Sequence, residues 1–361
     1  MTVPSDAGTS GALSSPEPAQ ATADLAADQA AALARIIESS LHRRLRGPLS
    51  VSLLSGGRSN LTYRLSAGGE QWVMRRPPLG HVLETAHDMH REYRVIHALA
   101  PTAVPVPGTV CHVDDRSVLG AEFFVMDLVD GIVYRTAEEM AALSPAQARA
   151  LGYAFIDCMA DLHQVDYVAA GLADFGRPDG YLERQVRRWT RQLAASRSRD
   201  VPGFDQLGAR LAACTPSSAR ASIVHGDFRL DNAIVDPADP SRVLAILDWE
   251  MATLGDPLSD LGLFYLYWEG WGGLDNPIAA TPAEIPGYPS WSSLAERYVS
   301  RTGTELSDFD WYESFAIFKF AVICEGIYYR DIKGLAVGEG FGKIGAMVPE
   351  LVQRGHAALR R

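Results

Sequence analysis

The stretch Ile223-Val-His-Gly-Asp-Phe-Arg-Leu-Asp-Asn232 decides the fold, because a short apolar strand signal runs directly into a cluster of polar residues. Residues 233–235 and 243–247 read as the two strands of a hairpin, joined by an Asp- and Pro-rich turn. In such a hairpin the start of the first strand lies beside the end of the second. The spacing therefore predicts that Asn232 and Asp248 meet at the open end.

Asp227 lies in the loop just before this hairpin, so a free carboxylate stands near two oxygen-bearing side chains. Magnesium prefers a few protein oxygens and completes its shell with water and phosphate. A separate carboxylate can deprotonate an attacking hydroxyl, which is typically worth about 100- to 10,000-fold in rate. In kinases the loop Asp is the base, while an Asn and a second Asp hold the metal. The pattern therefore predicts phosphoryl transfer.

Two other interpretations are open for these residues. Asp and Asn are frequent in turns and caps, so Asp227, Asn232 and Asp248 could each be structural, although their ordered occurrence disfavours this. His225, Asp227 and Asp248 could also form a metallohydrolase centre, but that set lacks a second nearby His.

Three motifs in order carry a resemblance to a known family. The chain has His-Gly-Asp-x4-Asn, then Asp248-Trp-Glu, then Gly255-Asp-Pro-x2-Asp260. This set resembles the aminoglycoside phosphotransferase family, whose fold is similar to that of protein kinases, from about Leu33 to the C-terminus. The resemblance implies an α+β, two-lobed, protein-kinase-like fold with a small antiparallel-sheet lobe and a larger, mostly helical lobe.

The resemblance also implies roles for individual residues and the cofactors ATP and Mg²⁺. Asp227 would be the catalytic base, and Asn232 and Asp248 would be magnesium ligands. His225 would brace the catalytic loop. Asp256 and Asp260 would hold that loop by capping and hydrogen bonding, and would not touch the substrate.

The first third of the chain predicts the nucleotide-binding lobe. Residues 1–24 are rich in Ser, Ala, Pro, Gly and Thr and read as a disordered tail. Residues 25–131 then predict a small lobe with a helix at 87–99, and residues 132–361 a catalytic and substrate-binding helical lobe. The strand signals of the small lobe lie at 51–54, 61–65, 71–75, 110–112 and 122–128.

The segment Ser55-Gly-Gly-Arg-Ser-Asn60 joins the first two strands. Backbone N–H groups at such a corner can approach phosphate, which makes Gly56, Gly57, Ser59 and Asn60 candidates for nucleotide binding. The alternative is an ordinary hairpin turn.

A basic residue on the third strand normally holds the nucleotide phosphates in kinases and pairs with a helix Glu. No lysine precedes Lys319 here, so Arg75 is the best candidate, Arg76 is the runner-up and Glu92 is the predicted partner. Strand alternation places Arg75 in the cleft and Arg76 outside it. Arginine keeps the charge, but its phosphate geometry differs from that of lysine.

Phe123 to Val129 reads as a strand that leads into the hinge between the lobes. The backbone of Asp127 and Val129 could contact adenine there. An ordinary edge strand is the alternative.

Composition limits the partners and the cell compartment. The net charge of −11 argues against a nucleic-acid surface. No apolar run is long enough to span a bilayer, and the N-terminus lacks a secretory pattern. The four cysteines form no C-x-x-C pair. We therefore expect a cytoplasmic protein with no nucleic-acid or membrane partner, while its oligomeric state stays open.

The acceptor is expected to be a hydroxyl group of a small molecule. The stretches Ser59-Asn-Leu-Thr-Tyr63 and Arg75-Arg-Pro-Pro78 are closest to the family branch similar to the kinase-like domains fused to acyl-CoA dehydrogenases. That branch favours a hydroxyacyl-CoA-like metabolite over an aminoglycoside. A nucleotide-binding regulatory module without turnover is the alternative function. A protein kinase is disfavoured, because no extended segment separates Asp248 from Asp256.

Overall fold

The computed structural model describes residues 25–54, 60–78, 88–218, 220–274, 280–334 and 341–360. An antiparallel sheet with its helices precedes a mainly helical region. This is the two-lobed, kinase-like α+β architecture, so the predicted fold class is confirmed. The tail, together with Gly56, Gly57 and Ser59, lies outside the described residues. The exact lobe boundaries stay a prediction.

The elements follow the chain in two groups. The small lobe contains α1 (Ala27–Leu41), β1 (Ser50–Leu53), β2 (Leu61–Ala67), β3 (Glu70–Arg76), α2 (Met89–Leu99), β4 (Thr109–Val113), α3 (Arg116–Leu119) and β5 (Phe123–Asp127). The large lobe contains α4 (Ala137–Ala141), α5 (Pro145–Gln164), α6 (Tyr181–Ala195), α7 (Phe204–Ala213), β6 (Ser222–Val224), β7 (Ala233–Val235), β8 (Val243–Ile246), β9 (Thr253–Gly255), α8 (Leu258–Trp268), α9 (Trp291–Thr302), α10 (Phe309–Ile332) and α11 (Phe341–Ala358).

The five small-lobe strands are antiparallel, in the order β1-β2-β3-β5-β4. Alternation along β3 sends its side chains to two different cores. Trp72 and Met74 pack with Leu33 of α1, whereas Val73 packs with Val95 of α2 in the core that continues into the large lobe. The sheet is therefore covered on both faces, and α2 lies between the sheet and the large lobe.

Helix α2 begins where Asp88 caps it, since the Asp88 carboxylate accepts the N–H of Arg91 at 2.8 Å. Its apolar residues recur at helical spacing, and Val95, Ile96 and Leu99 are buried. In its first turn, Arg91 reaches the large lobe at Ala252, and Glu92 pairs with Arg75 at the cleft.

Two short hairpins in the large lobe position the site. Strand β6 pairs with β9, which places Ser222 beside Gly255, and β7 pairs with β8, which places Ala233 beside Ile246. Helix α5 packs against β6 and β8, and Lys319 of α10 reaches the loop after β6; Phe155, Leu162, Phe318 and Ala321 of these helices are almost fully buried. None of the helices in the described parts of the chain is both long and apolar enough to cross a membrane.

Candidate active site

The loop after β6 is held by a carboxylate from α8. Asp260 accepts the backbone N–H groups of His225 at 2.6 Å and Gly226 at 2.8 Å. Burial raises the pKa of Asp260, but the hydrogen bond from His163 and the N–H of Gly226 contribute to lowering it overall. An ionised Asp260 therefore fixes the loop, which is the supporting position that the family resemblance implies for it.

Gly226 has a φ of +86° and leaves no room for a side chain. A Cβ atom there would lie 2.9 Å from Cβ of Met251 and 3.1 Å from its carbonyl oxygen. Only glycine meets both demands without strain. The loop can therefore pass close to Met251, in the segment that follows Asp248.

His225 joins the catalytic loop to the end of β8. Its ring is fully buried, and Nδ1 accepts the N–H of Asp227 at 3.2 Å. Nε2 lies 2.9 Å from the carbonyl oxygen of Leu247, so Nε2 carries the proton. The ring packs against Trp249 at a centroid distance of 4.6 Å. These contacts hold Asp227 and the Asp248 region in register.

The structure brings Asp227, Asn232 and Asp248 together. The amide nitrogen of Asn232 donates to the backbone carbonyl of Asp227 at 2.9 Å and to its Oδ2 at 3.1 Å. The N–H of Leu247 donates to the carbonyl of Asn232 at 2.7 Å, so Asp248 emerges beside it. Because Nδ2 of Asn232 is used twice, the amide oxygen is the atom left for a cation.

Asp248 has two features typical of a functional residue. Its φ is +65°, a left-handed conformation that is sparsely populated for non-glycine residues and clusters at active sites. Its Oδ1 is buried and accepts no hydrogen bond from the described residues, while Nη2 of Arg75 lies 3.8 Å away. A buried carboxylate oxygen without a donor fits a cation ligand.

No group of three or more His, Cys, Asp or Glu residues in the described ranges is arranged to hold a metal ion. Magnesium needs no such cage, because one or two protein oxygens and the phosphates of a nucleotide can complete its shell. The oxygens of Asn232 and Asp248 fit that demand.

Arg75 faces the cleft and Arg76 faces away. Arg75 forms an ion pair with Glu92, which is 1% exposed. Arg76 is buried under the sheet, where it donates to the Tyr63 hydroxyl at 2.8 Å and points at the Leu119 carbonyl. Strand alternation predicts this separation, and the expected partner of Arg75 is in place.

Glu92 has an unusual pKa. Burial, the largest cause, raises the pKa of its carboxyl to about 7 against the opposing charge of Arg75, and the carboxylates of Asp248 and Glu250 add to the rise. Negative charge therefore surrounds Arg75 on this side of the cleft. That arrangement leaves Arg75 available to a phosphate when a cation neutralises Asp248.

The remaining nucleotide candidates lie along the cleft. Asn60 is buried, and its amide nitrogen lies 3.4 Å from Oε2 of Glu250 across the lobes. The N–H of Asp127 donates to the carbonyl of Gly108 at 2.7 Å, which leaves only the carbonyl of Asp127 for a ligand. The backbone of Val129 makes no hydrogen bond within the described residues, so it is free to meet one.

Two basic residues of the site were not identified from sequence. Lys319 of α10 donates to the Gly226 carbonyl at 2.9 Å. Nε of Arg229 lies 3.3 Å from Oδ2 of Asp227. A signal existed for each: Lys319 interrupts the apolar run of α10, and Arg229 lies within the motif itself.

Comparisons with known proteins agree with this geometry. The profile of the phosphotransferase enzyme family (APH) matches residues 50–296. Acyl-CoA dehydrogenase family member 11 of Gallus gallus is 36% identical over 315 residues, which are 86% of this chain and 40% of that protein. A crystal structure from Ralstonia eutropha, provisionally named an aminoglycoside phosphotransferase, is 34% identical with a TM-score of 0.78, over 90% of this chain and 98% of that one.

A more distant structure shares the fold alone. The GDP and kanamycin complex of APH(2″)-IIIa is 17% identical with a TM-score of 0.58, over 90% of this chain and 98% of that one. The curated relatives are much longer than the matched region. The chain spans 40% of the Gallus gallus protein and 30% of acyl-CoA dehydrogenase family member 10 of Mus musculus.

Proposed function

Because the chain belongs to the phosphotransferase enzyme family, we propose that it uses ATP and Mg²⁺ to phosphorylate a hydroxyl group of a small molecule. One observation carries the proposal. Asp227, Asn232 and Asp248 converge at the cleft, opposite the Arg75–Glu92 pair, and Oδ1 of Asp248 accepts no hydrogen bond from the described residues. In this proposal residues 25–131 bind the nucleotide and residues 132–361 supply catalysis and acceptor binding.

Asp227 is the general base of the proposed reaction. It takes the proton of the acceptor hydroxyl as the acceptor oxygen bonds to the γ-phosphorus and the bond to the β,γ-bridging oxygen breaks, which releases ADP. Asn232 orients this base through its Nδ2 at 3.1 Å, and His225 holds the backbone of Asp227 from behind.

Charge on the nucleotide is met by residues from both lobes. When bound, Mg²⁺ supplies positive charge at the phosphate oxygens, and the Asn232 amide oxygen and the Asp248 carboxylate hold it. Arg75 contacts the phosphates from the small lobe, while Glu92 keeps its guanidinium in the cleft. In this proposal the carbonyl of Asp127 and the backbone of Val129 bind adenine, and Gly56, Gly57, Ser59 and Asn60 bind the phosphates.

The acceptor is a hydroxyacyl-CoA-like metabolite in this proposal. The relatives named acyl-CoA dehydrogenases favour that class. So does the charge beside the catalytic loop, where Lys319 contacts Gly226 and lies within electrostatic range of Arg188. A polycationic aminoglycoside would be repelled by these groups.

A screen of a metabolite library for ATP-dependent phosphorylation tests the function. ADP release is measured with the wild type and with Asp227→Asn, in the presence and absence of Mg²⁺. We expect at least one hydroxylated metabolite to give magnesium-dependent turnover that the variant lacks. Tight nucleotide binding without turnover for any acceptor would instead favour a regulatory module, which the absence of a small-lobe lysine allows.

A further inference from the structure

Arg229 lies inside the catalytic loop, between the proposed base and Asn232. Its Nε is 3.3 Å from Oδ2 of Asp227, and its Nη1 is 3.3 Å from Oδ2 of Asp231. The guanidinium also lies over the ring of Tyr267, at 5.2 Å from the centroid. Two carboxylates and an aromatic face therefore hold this side chain in one place at the reacting end of the cleft.

The same guanidinium has hydrogen-bonding capacity to spare. Its Nε and Nη1 are buried and face the two carboxylates, whereas Nη2 makes no hydrogen bond with any described residue and is not buried. A free N–H group on a fixed, planar cation is suited to donate to an oxygen of a phosphoryl group.

Arg229 interacts electrostatically with residues on both the acceptor side and the nucleotide side of the proposed site. Burial alone lowers the pKa of its guanidinium, but Asp227, Tyr267, Asp231 and Asp248 together raise it, so the group stays charged. Asp227 stands at the hydroxyl to be phosphorylated, and Asp248 at the metal-bound nucleotide. A group that interacts with both lies beside the path of the phosphoryl group.

We propose that Arg229 is a catalytic residue that binds the γ-phosphoryl group of ATP before and during its transfer, an inference that rests on the proposed function. Charge builds on the oxygens of that group as the bond to ADP breaks, and a fixed cation stabilises it without reorganisation. The competing role is purely structural, with Arg229 only holding Asp227 in place.

Calorimetric titration separates the two roles without any acceptor. Mg-ADP and the magnesium complex of the β,γ-imido analogue of ATP differ by the γ-phosphoryl group. We expect Arg229→Met to weaken binding of the imido analogue by about tenfold or more, as for a lost charge-assisted hydrogen bond, and binding of Mg-ADP by less than about threefold. Arg229→Lys should lie between the two.

The matched control is Arg135→Met. Arg135 is exposed and also acts electrostatically on Asp231, so this change removes a nearby positive charge without touching the loop. It should bind both nucleotides like the wild type. If Arg229→Met does not fold, as judged by circular dichroism, Arg229→Gln takes its place in the same comparison.

The outcomes separate the inference from the function on which it rests. An unchanged ratio of the two affinities in the Arg229 variants would overturn the role of Arg229, because loss of a γ-phosphoryl contact must change that ratio. A wild type that binds neither nucleotide would overturn the proposed function itself.

Discussion

Arg91 of α2 donates a hydrogen bond of 3.0 Å to the carbonyl oxygen of Ala252, four residues beyond Asp248. The same guanidinium donates to the Phe175 carbonyl and lies 3.9 Å from the centroid of that ring. Its neighbour in sequence, Glu92, holds Arg75 of the small-lobe sheet. One turn of helix thus ties the phosphate-binding arginine to the segment that carries the proposed metal ligand.

We expect Arg91→Met to separate these two parts of the cleft. Three contacts of a half-buried side chain are lost, so the free energy of unfolding should fall by about 1–3 kcal/mol and nucleotide affinity by about fivefold or more. Arg94→Met is the control, since Arg94 lies on the same helix and pairs with Asp174, whose side chain is 77% exposed. It should cost less than about 1 kcal/mol. Denaturant unfolding and calorimetry with Mg-ADP provide the measurements, and equal, small effects of both changes would remove α2 from this role.

Asp227→Asn should abolish phosphoryl transfer and leave nucleotide binding largely intact. The substitution keeps the shape of the side chain and its contact with Asn232 but removes the base. A rate loss of about 100- to 10,000-fold or more is expected. Steady-state turnover with an acceptor from the metabolite screen, together with calorimetry, checks both parts. Turnover near the wild-type rate would show that another group accepts the proton.

Asp248→Asn should weaken magnesium-dependent nucleotide binding and nearly eliminate turnover, and Asn232→Ala should do so less. Asn tolerates the left-handed backbone that Asp248 adopts, so this change tests the charge without adding strain. Asp248→Ala should lose the same binding and also some stability, because alanine is disfavoured at this φ. Nucleotide titrations with and without Mg²⁺ are compared. A magnesium dependence equal to that of the wild type in Asp248→Asn would assign the metal elsewhere.

Arg75→Ala and Arg76→Ala should have different kinds of effect. Arg75 faces the phosphate side of the cleft, so its loss should raise the ATP Michaelis constant, lower turnover, or both, by about tenfold or more. Arg76 supports the Tyr63 hydroxyl below the sheet, so its loss should lower stability by about 1–3 kcal/mol with little kinetic change. Arg75→Lys should keep part of the activity, because the charge remains. If both alanine variants changed the Michaelis constant and turnover by the same small factor, the nucleotide site would have to be assigned to other residues.

The stability of the nucleotide-free protein should depend on pH through Glu92. Its folded pKa of about 7 lies above the ordinary value of 4.5, chiefly because of burial. Between these values the folded state binds more protons than the unfolded state, so the free energy of unfolding falls as the pH rises from about 4.5 to about 7. Comparing pH 5 with pH 8 by denaturant unfolding, we expect Glu92→Gln to remove a pH-dependent difference on the order of 2 kcal/mol. An identical pH profile in the variant would show that Glu92 is ionised throughout.

Local pattern was sufficient for most of the secondary structure. The helix predicted at 87–99 is observed at Met89–Leu99, and the strand predicted at 233–235 has the expected bounds. Hairpin geometry then brought Asn232 beside Asp248, because antiparallel pairing relates residues that are close in sequence. Alternation along β3 separated Arg75 from Arg76 for the same reason.

Groups that reach the site from distant elements could not be found in this way. Lys319 contacts Gly226 across 93 positions of sequence, and Arg91 contacts Ala252 across 161. Neither contact has a period or spacing that marks it. Each exists because a helix packs at one angle and depth against the catalytic loop, and many side chains together set that packing.

The order of motifs along the chain was enough to specify the family, the hairpin and the three oxygen-bearing residues of the site, since each depends on neighbours in sequence and on backbone geometry. Only the tertiary structure decided which of their oxygen atoms accept no hydrogen bond and which cationic side chains face them. The buried Oδ1 of Asp248, the raised pKa of Glu92 and the position of the Arg229 guanidinium over the Tyr267 ring all arise from burial and from groups brought in by other elements. Those quantities depend on desolvation and distance, which no local pattern contains.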